Sequence, residues 1–181
     1  EDFHFEKGDA VSTLYVRMEL LTSLQEVLSE RREQSKLFSI PEILKLGRDI
    51  CTALIYCEKR GIIHRDIKPT NIIITEYNHV VLLDFNAAKY YVENADKDTI
   101  LLGTKGYAAP EQYNGLAEES ADVYGIGCVI GVMLGEGVKG RKELFRIYER
   151  CVQEVPAKRY RSVSALMVDL QKLYGTSSKR K

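Results

Sequence analysis

The stretch GIIHRDIKPTNIIITEYNHVVLLDFN, residues 61–86, constrains the fold more than any other. Two apolar runs, Ile72 to Thr75 and Val80 to Leu83, flank the polar tetrapeptide Glu76-Tyr77-Asn78-His79. That pattern predicts a short β-hairpin closed by a four-residue loop. With Thr75 facing Val80, Asn71 falls opposite Asp84. Directly opposed residues project from one face with Cα atoms roughly 4.5–5.5 Å apart. An amide oxygen and a carboxylate are thereby expected to aim at one point, a donor pair suited to a hard cation such as Mg²⁺ completed by water and phosphate oxygens. Just upstream, His64-Arg65-Asp66-Ile67-Lys68-Pro69 adds a second carboxylate and an ammonium, in a loop that Pro69 keeps from becoming helix.

HRDIKPTN followed by DFN resembles the catalytic loop and metal-binding motif of eukaryotic-type protein kinases, H-R-D-x-K-x-x-N and D-F-G. Gly-Thr-Lys-Gly-Tyr-Ala-Ala-Pro-Glu, residues 103–111, resembles the end of their activation segment. Lys68, two residues after Asp66, marks the serine/threonine branch, and the wording GTKGYAAPEQY looks most like bacterial members. The resemblance runs over residues 10–174 and implies an α+β, predominantly helical, protein-kinase-like fold. It divides the chain into a remnant of the small lobe and hinge at 1–21, a large lobe at 22–175 and a basic tail at 176–181.

The resemblance implies transfer of the ATP γ-phosphoryl group to protein Ser or Thr hydroxyls, with ATP and Mg²⁺ as cofactors. Asp66 would orient the attacking hydroxyl and accept its proton. Lys68 would neutralise the migrating phosphoryl, and Asn71 and Asp84 would hold Mg²⁺. Met18 would sit at the gatekeeper position, Glu19 and Leu21 would offer backbone groups to adenine, and Ile73 would form the floor beneath it. Thr99 is the expected phosphorylation position, its phosphate facing Arg65. Thr104 would hydrogen-bond Asp66 and Lys68. Glu111 would pair with a buried Arg159, and Asp122 would brace the catalytic loop through backbone N–H groups; these three are structural. Phe85 would pack beneath the catalytic loop. Asn86 departs from the family's glycine, although Asn is among the residues that best tolerate positive φ.

The first sixty positions contain only two glycines, Gly8 and Gly47, so these residues hold no G-x-G-x-x-G phosphate cover, and no lysine strand is recognisable. The chain is therefore expected to be a truncated kinase, inactive alone, whose missing small lobe or partner lobe would cover Val16, Met18 and Ile73. Two other readings stay open. A pseudokinase or scaffold would keep the helical lobe for binding alone, and a small-molecule phosphotransferase would act on an antibiotic or sugar.

Lys+Arg and Asp+Glu both number 26, so no global charge drives the chain toward nucleic acid. A protein substrate and ATP are the expected partners. Cys51, Cys57, Cys128 and Cys151 lie in apolar segments without C-x-x-C spacing, which reads as buried free thiols in a reducing cytosol. The apolar run from Val123 to Leu134 is shorter than the roughly 20 residues of a membrane helix, and no signal peptide is visible. A cytoplasmic domain is expected, with a membrane anchor in a missing segment left open.

Periodicity and caps outline the remainder. Residues 1–9 read as polar with a turn at Glu6 to Asp9, and Ser12 to Leu21 as a strand, half of a hairpin. Ser23 caps a short helix through Ser29, followed by a solvated charged stretch to Lys36. Ser39, Pro41 and Glu42 open an amphipathic helix with apolar positions at Ile43, Leu46, Ile50, Leu54 and Cys57, closed by Gly61. A buried helix covers 122–134. After a brief loop, one helix carries Leu144, Ile147 and Cys151. The last begins after Ser162 and stops at Gly175.

Overall fold

The computed structural model describes residues 2–7, 12–17, 21–90, 103–116, 118–135 and 142–178. Among them, β1 (Asp2–Lys7) pairs antiparallel with β2 (Ser12–Arg17), Asp2 facing Arg17 and Lys7 facing Ser12. Residues 2–7 are thus the partner strand of the expected hairpin, and Glu6 and Lys7 belong to its ladder instead of to a turn. Alternating Phe3 and Phe5 give this segment a strand pattern that its polar residues masked.

Ser23 closes β3 (Thr22–Ser23) and caps α1 (Leu24–Glu33). Its hydroxyl accepts the Glu26 N–H at 3.2 Å while the Glu26 carboxylate accepts the Ser23 N–H at 2.6 Å, a reciprocal box that satisfies two otherwise orphaned donors. The helix runs four residues past the expected Ser29, through Glu33. Glu30 to Glu33 have good helical propensity, so their charge alone did not stop it.

The same device starts α2 (Ile40–Glu58), where Ser39 and Glu42 form the box and Pro41 sits in the first turn. Ile43, Leu46, Ile50, Leu54 and Cys57 are all buried. Burial of each such side chain contributes about 1.5–3 kcal/mol. Gly61, at φ 66°, turns the chain out of the helix into β4 (Ile62–Ile63).

The hairpin of β5 (Ile72–Ile74) and β6 (Val80–Leu82) forms, but in a register shifted by one residue. Ile74 faces Val80 and Ile72 faces Leu82. Asn78 adopts a left-handed φ of 60°, and Thr75 binds both the Asn78 N–H and the His79 carbonyl, so the loop has three residues instead of four. Asn71 consequently lies beside Leu83, whose N–H reaches its carbonyl at 2.9 Å, and not opposite Asp84. Lys45 on α2 donates to the Asn78 carbonyl at 2.6 Å and holds the turn against the helical body. β5 also pairs with β3, Ser23 facing Ile73, and β4 pairs with β7 (Lys89–Tyr90).

The core lies among α2, α3 (Ala121–Leu134), α4 (Lys142–Cys151) and α5 (Val163–Ser178). Val123, Ile126, Val129, Ile130, Met133 and Leu134 are buried on several sides of α3, making it the central helix. Glu58, at the end of α2, accepts the Val163 N–H at 2.7 Å and so fixes where α5 begins. α5 continues through Gly175 to Ser178, because a lone glycine in exposed helix is tolerated at modest cost. Residues 176–178 of the expected tail are therefore helical, and 179–181 lie outside the described residues. The α+β, mostly helical class read from the sequence is the class observed. Among the described residues, no helix is long and apolar enough to cross a membrane.

Candidate active site

The catalytic-loop candidates hang from the buried N-terminal end of α3. Asp122 receives the His64 N–H on Oδ2 and the Arg65 N–H on Oδ1, both at 2.8 Å. Burial pushes the Asp122 carboxyl up, against the opposing pull of those two N–H donors. Three residues further along α3, Gly125 lets the loop approach: a Cβ there would lie 2.8 Å from Ile67 Cβ and 3.1 Å from the Ile67 carbonyl oxygen. The expected brace is present in geometry, and the glycine beside it is a feature that no local sequence pattern announces.

Arg65 stands at φ 65°, a left-handed conformation that costs a non-glycine residue roughly 1–2 kcal/mol. Its Nε donates to the Ala87 carbonyl at 2.6 Å, and its own carbonyl accepts Gln112 Nε2 at 2.9 Å. The side chain is buried against the segment after Asp84. Thr99, the expected phosphate-bearing partner, lies outside the described residues.

This turn delivers Asp66 into a dense polar cluster. Lys68 Nζ donates to Asp66 Oδ2 at 2.6 Å, and Asn71 Nδ2 donates to the same oxygen at 3.0 Å. Thr104 Oγ1 donates to Oδ1 at 2.8 Å while accepting from Lys68 Nζ, also at 2.8 Å. Asn71 Nδ2 additionally reaches the Asp66 carbonyl at 3.0 Å. Burial pushes the Asp66 carboxyl up, but the bonds from Lys68, Thr104 and Asn71, with the Lys68 charge, outweigh it and hold the group below the ordinary carboxylate range. Asp66 is therefore an anion at neutral pH. A carboxylate offers about four acceptor positions, of which three are taken here, so Oδ1 retains room for one hydroxyl.

His64 is fully buried, with Nε2 3.1 Å from the Leu83 carbonyl and Nδ1 3.4 Å from the Asp66 N–H. These partners assign the proton to Nε2 and the acceptor role to Nδ1. Its ring lies 4.5 Å from that of Phe85, tilted by 54°, which puts Phe85 against the His64–Asn71 loop although it stays 45% exposed.

Asp84 is exposed and left-handed at φ 62°, and it accepts the Asn86 N–H at 3.3 Å. The facing pair expected of Asn71 and Asp84 does not exist in the ladder; Asp84 instead leaves the strand one residue after Leu83. Asn71 spends its amide nitrogen on Asp66, which turns its Oδ1 into the available donor. One carboxylate and one amide oxygen suit Mg²⁺, whose remaining ligands would be water and phosphate. Among the described residues, no cluster of three or more His, Cys, Asp or Glu forms a metal cage. Ile73 is 4% exposed, covered more fully than expected for an open cleft. Leu21 is partly exposed, and Met18 and Glu19 lie outside the described residues.

Glu111 and Arg159 meet in a bidentate pair, Nη1 to Oε1 at 2.6 Å and Nη2 to Oε2 at 2.7 Å. The carboxamide of Gln112, next to Glu111, is buried, yet nothing in the sequence distinguished it from a surface glutamine.

The chain matches the protein kinase domain over residues 5–167. It is 30% identical to serine/threonine-protein kinase PknD of Chlamydia caviae across 87% of this chain and 22% of that protein. Its identity to serine/threonine-protein kinase D of Synechocystis sp. is 29% across 86% of this chain and 35% of that protein. Serine/threonine-protein kinase PknB of Mycolicibacterium smegmatis is 39% identical over 51% of this chain and 16% of its own length. The chain thus spans between a sixth and about a third of the lengths of these relatives. With the match covering most of its length and the Asp66 cluster standing at the base of α3, the chain belongs to the protein kinase domain family.

Proposed function

We propose that this domain transfers the γ-phosphoryl group of ATP to Ser or Thr hydroxyls of protein substrates. The observation that carries this reading is the Asp66 carboxylate, clamped by Lys68, Thr104 and Asn71 with one acceptor position left on Oδ1. A substrate hydroxyl donating there would be aligned for attack, and Asp66 would take its proton as the new O–P bond forms. Lys68, already 2.6 Å from that carboxylate, carries the charge that would neutralise the migrating phosphoryl. Catalysis of this kind rests mainly on positioning and charge neutralisation.

Protein kinases generally use ATP and Mg²⁺. Here Asp84 and Asn71 Oδ1 would hold the cation, which when bound neutralises phosphate charge. Ile73 would underlie adenine, with Met18, Glu19 and Leu21 as the hinge. Residues 1–21 would end the small lobe and residues 22–175 form the large one. Because the first sixty residues, where the family places it, contain no glycine-rich phosphate loop, cover for the phosphates would come from elsewhere. Free thiols at all four cysteines support a reducing, cytoplasmic setting for the domain.

Asp66→Asn in the complete protein tests the reading, scored by phosphate transfer from ATP to a generic basic protein. A loss of about 10²–10⁴ in kcat, typical of a removed general base, is expected. Unchanged turnover would remove Asp66 from the chemistry.

A further inference from the structure

Arg65 is bulky, yet it holds a left-handed backbone immediately before Asp66. Such a conformation persists only where the surroundings over-determine it. Asp122 holds the Arg65 N–H, and the Ala87 carbonyl holds the side chain. Neither reaches the peptide plane between Arg65 and Asp66, whose orientation sets where the Asp66 carboxylate points. That plane is held from one side by His64 Nδ1, which accepts the Asp66 N–H at 3.4 Å, and from the other, more closely, by the side chain of Gln112, donating from Nε2 to the Arg65 carbonyl at 2.9 Å.

The amide can act as a strut because its other end is also fixed. Gln112 Oε1 accepts the Ala109 N–H at 3.0 Å, so a carbonyl lies on one side and an N–H on the other. Only one orientation of the carboxamide satisfies both. Gly103 makes room: a Cβ there would lie 2.6 Å from Ala108 Cβ and 3.1 Å from Gln112 Nε2. At 5% exposure, the side chain has little water to replace a lost partner.

We propose that Gln112 is a positioning residue for Asp66, a carboxamide strut that holds the Arg65–Asp66 peptide and couples the 109–112 segment to the aim of the catalytic carboxylate. This inference rests on the phosphotransfer reading above for its kinetic consequence, but not for its structural one.

Two substitutions separate the ends of the strut. Gln112→Glu keeps an acceptor for the Ala109 N–H but sets a second acceptor against the Arg65 carbonyl. Gln112→Leu removes both bonds at similar size. In the full protein, amide hydrogen exchange over residues 62–68 should quicken at least about tenfold in both variants, with 40–58 unchanged. The kcat for phosphate transfer should fall about 10–100-fold while the KM for ATP stays within about twofold, since misplacement by about 1 Å can cost about 10²-fold. If Gln112→Glu matches the wild type in exchange and turnover, the side chain merely anchors Ala109 and the proposal is overturned. Equal loss of protection across 40–58 would likewise reduce Gln112 to general packing. Should the wild type transfer no phosphate, the proposed function falls, and the exchange comparison still decides the strut.

Discussion

Arg159 and Glu111, 48 positions apart, form a two-pronged ion pair at 2.6 and 2.7 Å in which both side chains are nearly inaccessible. Arg159 also donates to the carbonyls of Gln153, Glu154 and Ser120, so most of its hydrogen-bonding capacity is used. Removing one partner would strand a buried charge, which typically costs 3–5 kcal/mol. Glu111→Ala should destabilise the domain by about that amount, read from its denaturation midpoint at constant slope. A loss below about 1 kcal/mol would mean that water reaches the pair.

Thr104 is the only hydroxyl that touches both Asp66 and Lys68 among the described residues. Hydrogen bonds to charged groups are worth about 1.5–3 kcal/mol, equivalent to about 10–100-fold in rate. Thr104→Ala should lower kcat within that range, with Thr104→Ser close to the parent. Steady-state phosphotransfer kinetics distinguish them, and equal rates for Ala and Ser would exclude Thr104 from organising the site.

Gly125→Ala places a methyl group against Ile67, next to Asp66, where both a side chain and a carbonyl must give way. Overpacking of this kind typically costs about 1–3 kcal/mol. The variant should melt earlier and transfer phosphate more slowly. Gly175→Ala provides the contrast: its added Cβ meets nothing within 4 Å, so helix propensity alone should stabilise it by up to about 1 kcal/mol. Thermal unfolding of the pair measures both effects.

Glu42 closes the α2 capping box and binds Arg31 at 2.6 Å. The Arg31 bond, helped by Ser39 against some desolvation, brings its carboxyl down to about 2. A depressed carboxyl stabilises the fold fully above its unfolded value near 4.5 and loses that contribution as pH falls toward about 2. With the side chain 42% exposed, solvent screening reduces the effect to ~1 kcal/mol. Glu42→Gln should therefore be less stable at pH 7, with the difference shrinking through pH 4.5 to 2. A constant difference across urea titrations in that interval would contradict the assignment.

Much of the scaffold is legible locally. Ser39, Pro41 and Glu42 start α2 because capping groups three residues apart can answer each other's N–H groups, and the spacing of Ile43, Leu46, Ile50 and Leu54 selects the buried face. The loop from His64 to Asn71 is equally local: Asp66, Lys68 and Asn71 are near neighbours in the chain, so their spacing already restricts how far apart they can lie.

Register and long-range contacts are not decided at that level. The hairpin slipped by one residue because Asn78 could turn left-handed, with Lys45 of α2 gripping its carbonyl, and that slip removed Asp84 from its place opposite Asn71. Strand residues 2–7 gained their pairing from β2 despite their polar surroundings. Gln112 carries no sign of its role because the Arg65 carbonyl it binds lies 47 positions away. The sequence by itself determined where α1 and α2 start, their caps and the chemical make-up of the loop from His64 to Asn71, through interactions spanning a few residues. Only the tertiary structure decided the strand register, the approach permitted at Gly125 and the aim of Asp66, because each depends on atoms that become neighbours after the core has closed.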